Sequence, residues 1–199
     1  MRKTLTGLIA IFLVFALAGT EILAYFQDAA TSAGNTFQAG ILDLKIRDQP
    51  GPWQDGVSGN WTMSNMAPGD ETEGEVELHI DSASILADHL EITGDYTVSP
   101  PGFEDEMAKV MVITEMEYSK GDLELDLLTE IEDVDGDGKI SLYDLKYSQA
   151  GNGIDNLPPP YGVWEFEMEI KFDEDAGNEF QGRTLVLTVI FTLNQDASQ

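Results

Sequence analysis

Apolar and polar residues alternate with a period of two along much of the chain, which is the pattern of β-strands with one buried face. The alternation is unbroken over Glu75–Asp81 and over Trp164–Phe172. The segment Arg183–Leu193 differs, because both of its faces carry β-branched or apolar residues and almost no charge. That composition predicts a strand at the centre of a sheet.

Weaker alternation predicts further strands, separated by clusters of proline and glycine. These candidates are Phe37–Ile46, Trp61–Ser64, Leu86–Val98 and Ala108–Tyr118. The rhythm breaks over residues 121–150, where leucines between Leu123 and Ile131 have the mixed spacing of a short helix. We therefore predict an all-β, two-sheet sandwich of jelly-roll type over residues 38–199, with a short helical insertion at about 121–150.

The first 24 residues have the organisation of a secretory signal peptide. Arg2 and Lys3 precede an apolar run, Leu8–Gly19, which is too short for an ordinary membrane span, and Ala24 fits a cleavage point. An uncleaved anchor would place Glu21 in hydrocarbon at a cost of some kcal/mol. A pilin-type cut near Gly7 is the alternative. Cleavage after Ala24 predicts a secreted protein, in the extracellular matrix or at the cell surface, with no membrane contact once the signal is removed.

Acidic residues dominate the charge, with 37 Asp and Glu against 10 Lys and Arg and a formal net charge of −27. This charge disfavours nucleic acid and anionic lipid as partners. Hydrophobic residues still make up 42% of the chain, so a core can form. The chain has no cysteine, which excludes disulfides, thiolate zinc sites and thiol catalysis.

One segment, residues 133–144, matches the calcium-binding loop of EF-hands. Carboxylates occupy its alternate early positions, and a glycine, Gly138, stands where the loop turns sharply. Hard oxygen ligands in a flexible loop suit Ca²⁺. The predicted ligands are Asp133, Asp135, Asp137, the carbonyl of Lys139, Ser141 (often through water) and Asp144. An aspartate at the last position resembles the loops of dockerin modules.

Catalytic motifs are missing from the sequence: there is no His-Glu-x-x-His, no Gly-x-Ser-x-Gly and no phosphate loop. His79 and His89 lie in the polar phase of strand patterns, so we expect both to be solvated. These observations predict a protein that is not an enzyme and has no catalytic residue. Asn60 is the one candidate for glycosylation, in the sequon Asn-Trp-Thr.

Several short motifs resemble the TasA/camelysin type of secreted proteins, in order and over most of the chain after the signal. They are Tyr25-Phe26-Gln27-Asp28, Ala39-Gly40-Ile41-Leu42-Asp43-Leu44, the turn Met66-Ala67-Pro68-Gly69-Asp70, and Phe180-Gln181-Gly182 before the last strand. The resemblance implies a jelly-roll subunit of extracellular biofilm-matrix filaments. In such filaments the N-terminus of one subunit fills a strand-shaped groove of its neighbour, which is called donor-strand complementation. The calcium insertion at residues 121–149 departs from the family pattern.

The segment 25–37 has the properties that strand donation needs. It lacks proline, and an extended peptide can pair its backbone with an open sheet edge while alternate side chains enter pockets. Its candidate anchoring residues are Tyr25, Phe26, Ala29, Ala30, Ala33 and Phe37. The other interpretations are a frayed terminus and a strand that folds into its own sheet.

The sequence therefore predicts a filament subunit whose partners are copies of itself and, through divalent cations, neighbouring filaments. Head-to-tail donation need not close on itself, so it can propagate into a filament. The alternatives are an extracellular camelysin-like peptidase and a monomeric or pilin-type calcium-dependent adhesin.

Overall fold

The computed structural model describes residues 42–55, 66–81 and 86–195. Their strands form two antiparallel sheets, one in the order β1-β2-β7-β4-β5 and the other in the order β6-β3-β8. The strands are β1 Leu44–Arg47, β2 Glu71–Ile80, β3 His89–Ser99, β4 Met111–Lys120, β5 Leu123–Asp126, β6 Ile154–Leu157, β7 Trp164–Phe172 and β8 Thr184–Asn194. The helices are α1 Glu104–Lys109 and α2 Leu142–Tyr147, and short 3-10 turns span Leu128–Glu130, Ser148–Gly151 and Asn178–Phe180.

The core lies between the two sheets, and β7 shows how the alternating pattern creates it. Every second residue of β7, from Trp164 to Phe172, is buried, and the residues between them are glutamates or a lysine on the outer face. Across the core, Phe166 meets Phe191 of β8 edge to face, with ring centroids 5.1 Å apart. Burying one such side chain is worth about 1.5–3 kcal/mol, so this strand contributes strongly to the stability of the sandwich.

The predicted all-β, two-sheet sandwich is confirmed. Trp164–Phe172 is a strand over its whole predicted length, and the predictions at 75–81, 86–98 and 108–118 each coincide with most of a strand. Only the end of the predicted strand Phe37–Ile46 lies in the described part, as β1, and Trp61–Ser64 lies outside the described residues.

The insertion is helical, but not where the leucine spacing placed the helix. Residues 123–126 form β5, in which Leu125 pairs with Tyr118 of β4. The helix is α2, which begins after the acidic loop, at Leu142. Leu125 therefore faces a partner on the sheet, whereas Leu123 is 48% exposed, and a local pattern cannot anticipate this difference.

The last strand, β8, is an edge strand and not the central strand that its composition predicts. It pairs along its whole length with β3, from Thr184 opposite Ser99 to Asn194 opposite His89. Among the residues that the structure describes, no strand pairs with its other side. An edge strand with a central strand's composition is the feature of this fold that most needs an explanation.

Candidate functional site

Three carboxylates of the acidic loop converge on one point. Oxygen atoms of Asp133, Asp135 and Asp137 all lie within 4.8 Å of one another, and all three side chains belong to exposed residues. Such a group offers hard oxygen ligands and concentrates negative charge, which a divalent cation would neutralise. The oxygen-only donor set fits Ca²⁺ better than a softer metal.

The backbone of the loop wraps around the first of these carboxylates. The amides of Gly136 and Gly138 donate to Asp133 at 2.7 and 2.9 Å, and the amide of Lys139 donates to Asp137 at 2.8 Å. Gly138 has φ of +84°, a conformation that disfavours any residue with a side chain. The glycine therefore permits the turn that brings the three carboxylates together.

Ser141 and Asp144 form the N-terminal cap of α2. Ser141 Oγ accepts from the Asp144 amide, and Asp144 Oδ2 accepts from the Ser141 amide at 2.9 Å and from its hydroxyl at 2.6 Å. The other oxygen, Oδ1, accepts from the amide of Val134 at 2.8 Å, and Asp144 is only 1% exposed. Its carboxylate is thus held by the helix cap, outside the group of three. The ligand roles of Lys139, Ser141 and Asp144 remain predictions.

The loop is fastened to the sandwich on both of its sides. The amide of Ile113 on β4 donates to the carbonyl of Ile140 at 2.8 Å. Lys109 Nζ lies 3.2 Å from Asp135 Oδ2, and this ion pair raises the pKa of Lys109. A cation bound by the loop would therefore act on the sheet as well as on the insertion.

A second group capable of holding a metal ion comprises His89, Glu91 and Asp155. The sequence interpretation of His89 is wrong: the residue is 3% exposed and not solvated. Its Nε2 lies 3.1 Å from Asp155 Oδ1 and 3.4 Å from Glu91 Oε1, and its Nδ1 lies 3.2 Å from Asp88 Oδ2. Burial disfavours the imidazolium, but the hydrogen bonds with Asp88 and Glu91 and the charge of Asp155 outweigh it and raise the pKa of His89.

The outer face of the five-stranded sheet carries a ladder of glutamates. On β2 and β7, like charges stand opposite each other in the pairs Glu73–Glu169, Glu75–Glu167 and Glu77–Glu165. A hydrogen bond with Glu73, together with partial burial and nearby carboxylates, raises the pKa of Glu167 to about 7. Burial and neighbouring acids also raise the pKa of Glu75 and Glu117. Repulsion among these carboxylates therefore disfavours the ionised form of several glutamates on this face.

A cleft of about 660 Å³, lined by both apolar and polar residues, lies beside β8. Met111 and Ile170 line it from the five-stranded sheet, Leu185 and Leu187 from β8, and Pro68 from the turn before β2. The inward residues of β8 are only partly buried, although they pack against the core. On the outer face, Val186 and Ile190 are 57% and 43% exposed.

Some predicted sites lie outside the described residues. They are the six anchoring residues of the donor segment, namely Tyr25, Phe26, Ala29, Ala30, Ala33 and Phe37, together with Asn60 and the signal segment 1–24. Within the described ranges, no helix has the length and apolarity to cross a bilayer.

Comparison with known proteins identifies the family. A family model described as camelysin metallo-endopeptidase matches residues 1–199, which is the whole chain. No curated protein gives a significant match. The match confirms the resemblance on which the sequence interpretation relied. It also corrects the prediction that the protein is not an enzyme, because the family carries the name of a metallo-endopeptidase and thereby implies a metal ion.

Proposed function

Starting from the fact that the chain belongs to the camelysin metallo-endopeptidase family, we propose that it is a secreted subunit of an extracellular biofilm-matrix filament. Each copy donates its segment 25–37 as a strand to β8 of the next copy. The observation that carries the proposal is the apolar, charge-free edge of β8, with which no strand of the described residues pairs.

The contrast among the four outer strands supports this assignment. Proteins usually protect sheet edges with short strands and charged side chains. The strands β1, β5 and β6 follow that rule, because each has four residues and carries at least one charge. By contrast, β8 has eleven residues and contains no charged residue, proline or glycine. An uncovered edge of this kind promotes aggregation. A donated strand that covers the edge would explain why β8 has no charged residue to protect it.

The cleft beside β8 supplies room for the side chains of a donated strand. Strand addition gains affinity from main-chain hydrogen bonds and specificity from pockets that take alternate side chains. The half-buried Leu185 and Leu187 would become fully covered by an added strand, and each square ångström of apolar surface removed from water is worth about 25 cal/mol. This accounts for the central-strand composition of β8, because β8 becomes central once the donor is in place.

Ca²⁺ is the cofactor that we assign to the acidic loop. The convergence of Asp133, Asp135 and Asp137 fits a hard cation, and the bound ion would offset the repulsion among them. Since the loop contacts β4 through Ile140, binding would stabilise the folded sandwich by linkage.

Electron microscopy of the secreted chain, which begins at Tyr25 under this proposal, tests strand donation. We expect filaments from the wild type and from Ala30→Val, but none from Ala30→Pro, because proline removes a backbone donor from the added strand. A chain that lacks residues 25–34 should remain a soluble monomer that still binds Ca²⁺. Filaments of normal length from Ala30→Pro or from the truncated chain would contradict the proposal.

A metal-dependent peptidase is the second candidate function, favoured by the family to which the chain belongs. The two groups that could hold the metal are the acidic loop and the cluster around His89. A metal ion would polarise the scissile carbonyl or activate a water molecule. Casein cleavage that is lost with chelator and restored by metal would support this function, and undetectable cleavage by the metal-loaded protein would contradict it.

A further inference from the structure

The cluster around His89 lies where all three strands of the smaller sheet meet. His89 is the first residue of β3 and stands opposite Asn194, the last residue of β8. Glu91 follows on β3, and Asp155 comes from β6. The cluster therefore joins parts of the chain that are far apart in sequence.

Two of the three side chains in this cluster, those of Glu91 and Asp155, are acidic. The cluster contains a positive charge only when His89 is protonated. When Nδ1–H donates to Asp88, at 3.2 Å, the lone pair of Nε2 faces the carboxylate oxygens of Glu91 and Asp155. Three electron-rich atoms then point at one another around a histidine that is 3% exposed. Apart from the Asn194 side-chain amide, which can donate to Nε2 at 3.2 Å, a cation at the centre, either a proton or a metal ion, would offset the negative charge of this group.

The distances from Nε2 fit ligands around a small tetrahedral ion, and all three ligand atoms lie within 4.8 Å of one another. Ligands about 2.0–2.1 Å from Zn²⁺ at tetrahedral angles lie roughly 3.3 Å apart. The observed separations from Nε2 are 3.4 Å to Glu91 Oε1 and 3.1 Å to Asp155 Oδ1. Asn194 Nδ2 lies 3.2 Å from Nε2 on the fourth side, and a metal ion bound to Nε2 would take the place of the hydrogen bond that this amide can donate.

We propose that His89, Glu91 and Asp155 bind a divalent transition-metal ion of the zinc type, which clamps β3 to β6 at this end of the smaller sheet. One imidazole and two carboxylates are ligands that zinc accepts, whereas the oxygen-only acidic loop suits calcium. Asp88 is a positioning residue, because its carboxylate holds the imidazole with Nε2 directed at the metal.

The clamp strengthens the sheet where its ladder is interrupted. Only two pairs connect β3 and β6, Leu90 with Leu157 and Ile92 with Ile154, and the register shifts between them. Glu91 lies at that shift and Asp155 lies next to Ile154 on β6, so an ion between their carboxylates replaces missing main-chain bonds. This inference depends on neither strand donation nor proteolysis.

The test uses the full chain, stripped of metal by a chelator and titrated with Zn²⁺, and with Co²⁺ as a spectroscopic probe. Isothermal titration of Asp137→Asn, which removes a carboxylate from the acidic loop, is the matched control and should still show the tight zinc site. Asp155→Asn is nearly isosteric and should weaken binding at least tenfold, as should His89→Gln. Asp88→Asn should weaken it by about 10–100-fold.

Three further readouts separate a metal site from a protonated histidine. At the same Zn²⁺ concentration, the unfolding temperature of the wild type should rise more than that of Asp155→Asn, and Co²⁺ should give the absorption bands of a tetrahedral site. The ring resonances of His89 should move with Zn²⁺ at constant pH. Unchanged zinc affinity in both ligand variants, or His89 resonances that respond to pH and not to Zn²⁺, would overturn the proposal.

Discussion

At the scale of single residues, Glu167 has a raised pKa that the alternating pattern of its strand does not predict. The alternation of β7 places this residue on the outer face, but only the paired strands bring Glu73 close enough to share a proton with it. Because the folded state raises the pKa of Glu167 from 4.5 to about 7, the protonated form is favoured by folding. The resulting stability is present below the ordinary pKa and is lost as the pH rises through about 7.

We therefore expect Glu167→Gln to be nearly neutral at pH 4 and stabilising at pH 8. The side chain is partly exposed, so screening reduces the gain to about 1 kcal/mol in the free energy of unfolding. Urea unfolding at both pH values measures this difference. Glu165→Gln, which removes one charge from the same strand, is the control. An equal effect of Glu167→Gln at the two pH values would contradict the shared proton.

Asp137 offers a test of the calcium assignment at the same scale. Asp137→Asn removes one of three converging carboxylates, so we expect at least a tenfold loss of Ca²⁺ affinity by isothermal titration. Asp122→Asn changes the net charge equally, at an exposed position in the same insertion, and should leave the affinity almost unchanged. Equal losses in the two variants would point to a general charge effect instead of a site.

Residues in a contiguous motif were predictable from the sequence, whereas residues assembled by the fold were not. The twelve-residue loop contains Asp133, Asp135 and Asp137 within five positions, and the structure brings them together. His89 and Asp155 are distant in sequence and meet only because β6 pairs with β3. The polar phase of the β3 pattern suggested a solvated histidine, because that pattern cannot show what covers the outer face.

At the scale of elements, the packing of α2 on β3 couples the insertion to the sandwich. Gly94 on β3 is buried, and a Cβ atom there would lie 3.0 Å from Leu145 Cδ2 of the helix. Gly94→Ala should therefore push α2 outward and lower the free energy of unfolding by about 1–3 kcal/mol. Urea unfolding checks this, with Thr97→Ala at an exposed position of the same strand as the control.

The long strands were predictable because their alternation reports burial on one face over many residues. The short strands β5 and β6 were missed, since four residues carry too little periodicity to be recognised. The sequence predicted a helix near Leu125, but this residue pairs with Tyr118 in the ladder between β4 and β5. The helix α2 begins later, after its N-cap residue Ser141. The composition of β8 indicated a central strand, but it cannot tell whether the missing neighbour comes from the same chain or from another copy.

At the scale of the whole molecule, the net charge of −27 opposes association between copies. Divalent cations bind or screen carboxylates such as those of the glutamate ladder, so we expect assembly and bundling to depend on them. Light scattering of the purified subunit should rise in a Ca²⁺ titration, and rise less with NaCl at equal ionic strength. Indifference to both salts would contradict a role for charge in assembly.

Strand exchange between copies is the central claim, and the absence of cysteine from the chain allows a direct test. Two populations are mixed under oxidising conditions, one carrying Ala29→Cys or Ala30→Cys and the other carrying Thr188→Cys on β8. A disulfide requires Cα atoms within about 7 Å, so it reports adjacent strands. We predict cross-linked dimers between the two populations. Cross-links that form only inside a chain carrying both cysteines, and never between chains, would show that each copy fills its own edge and would contradict the account.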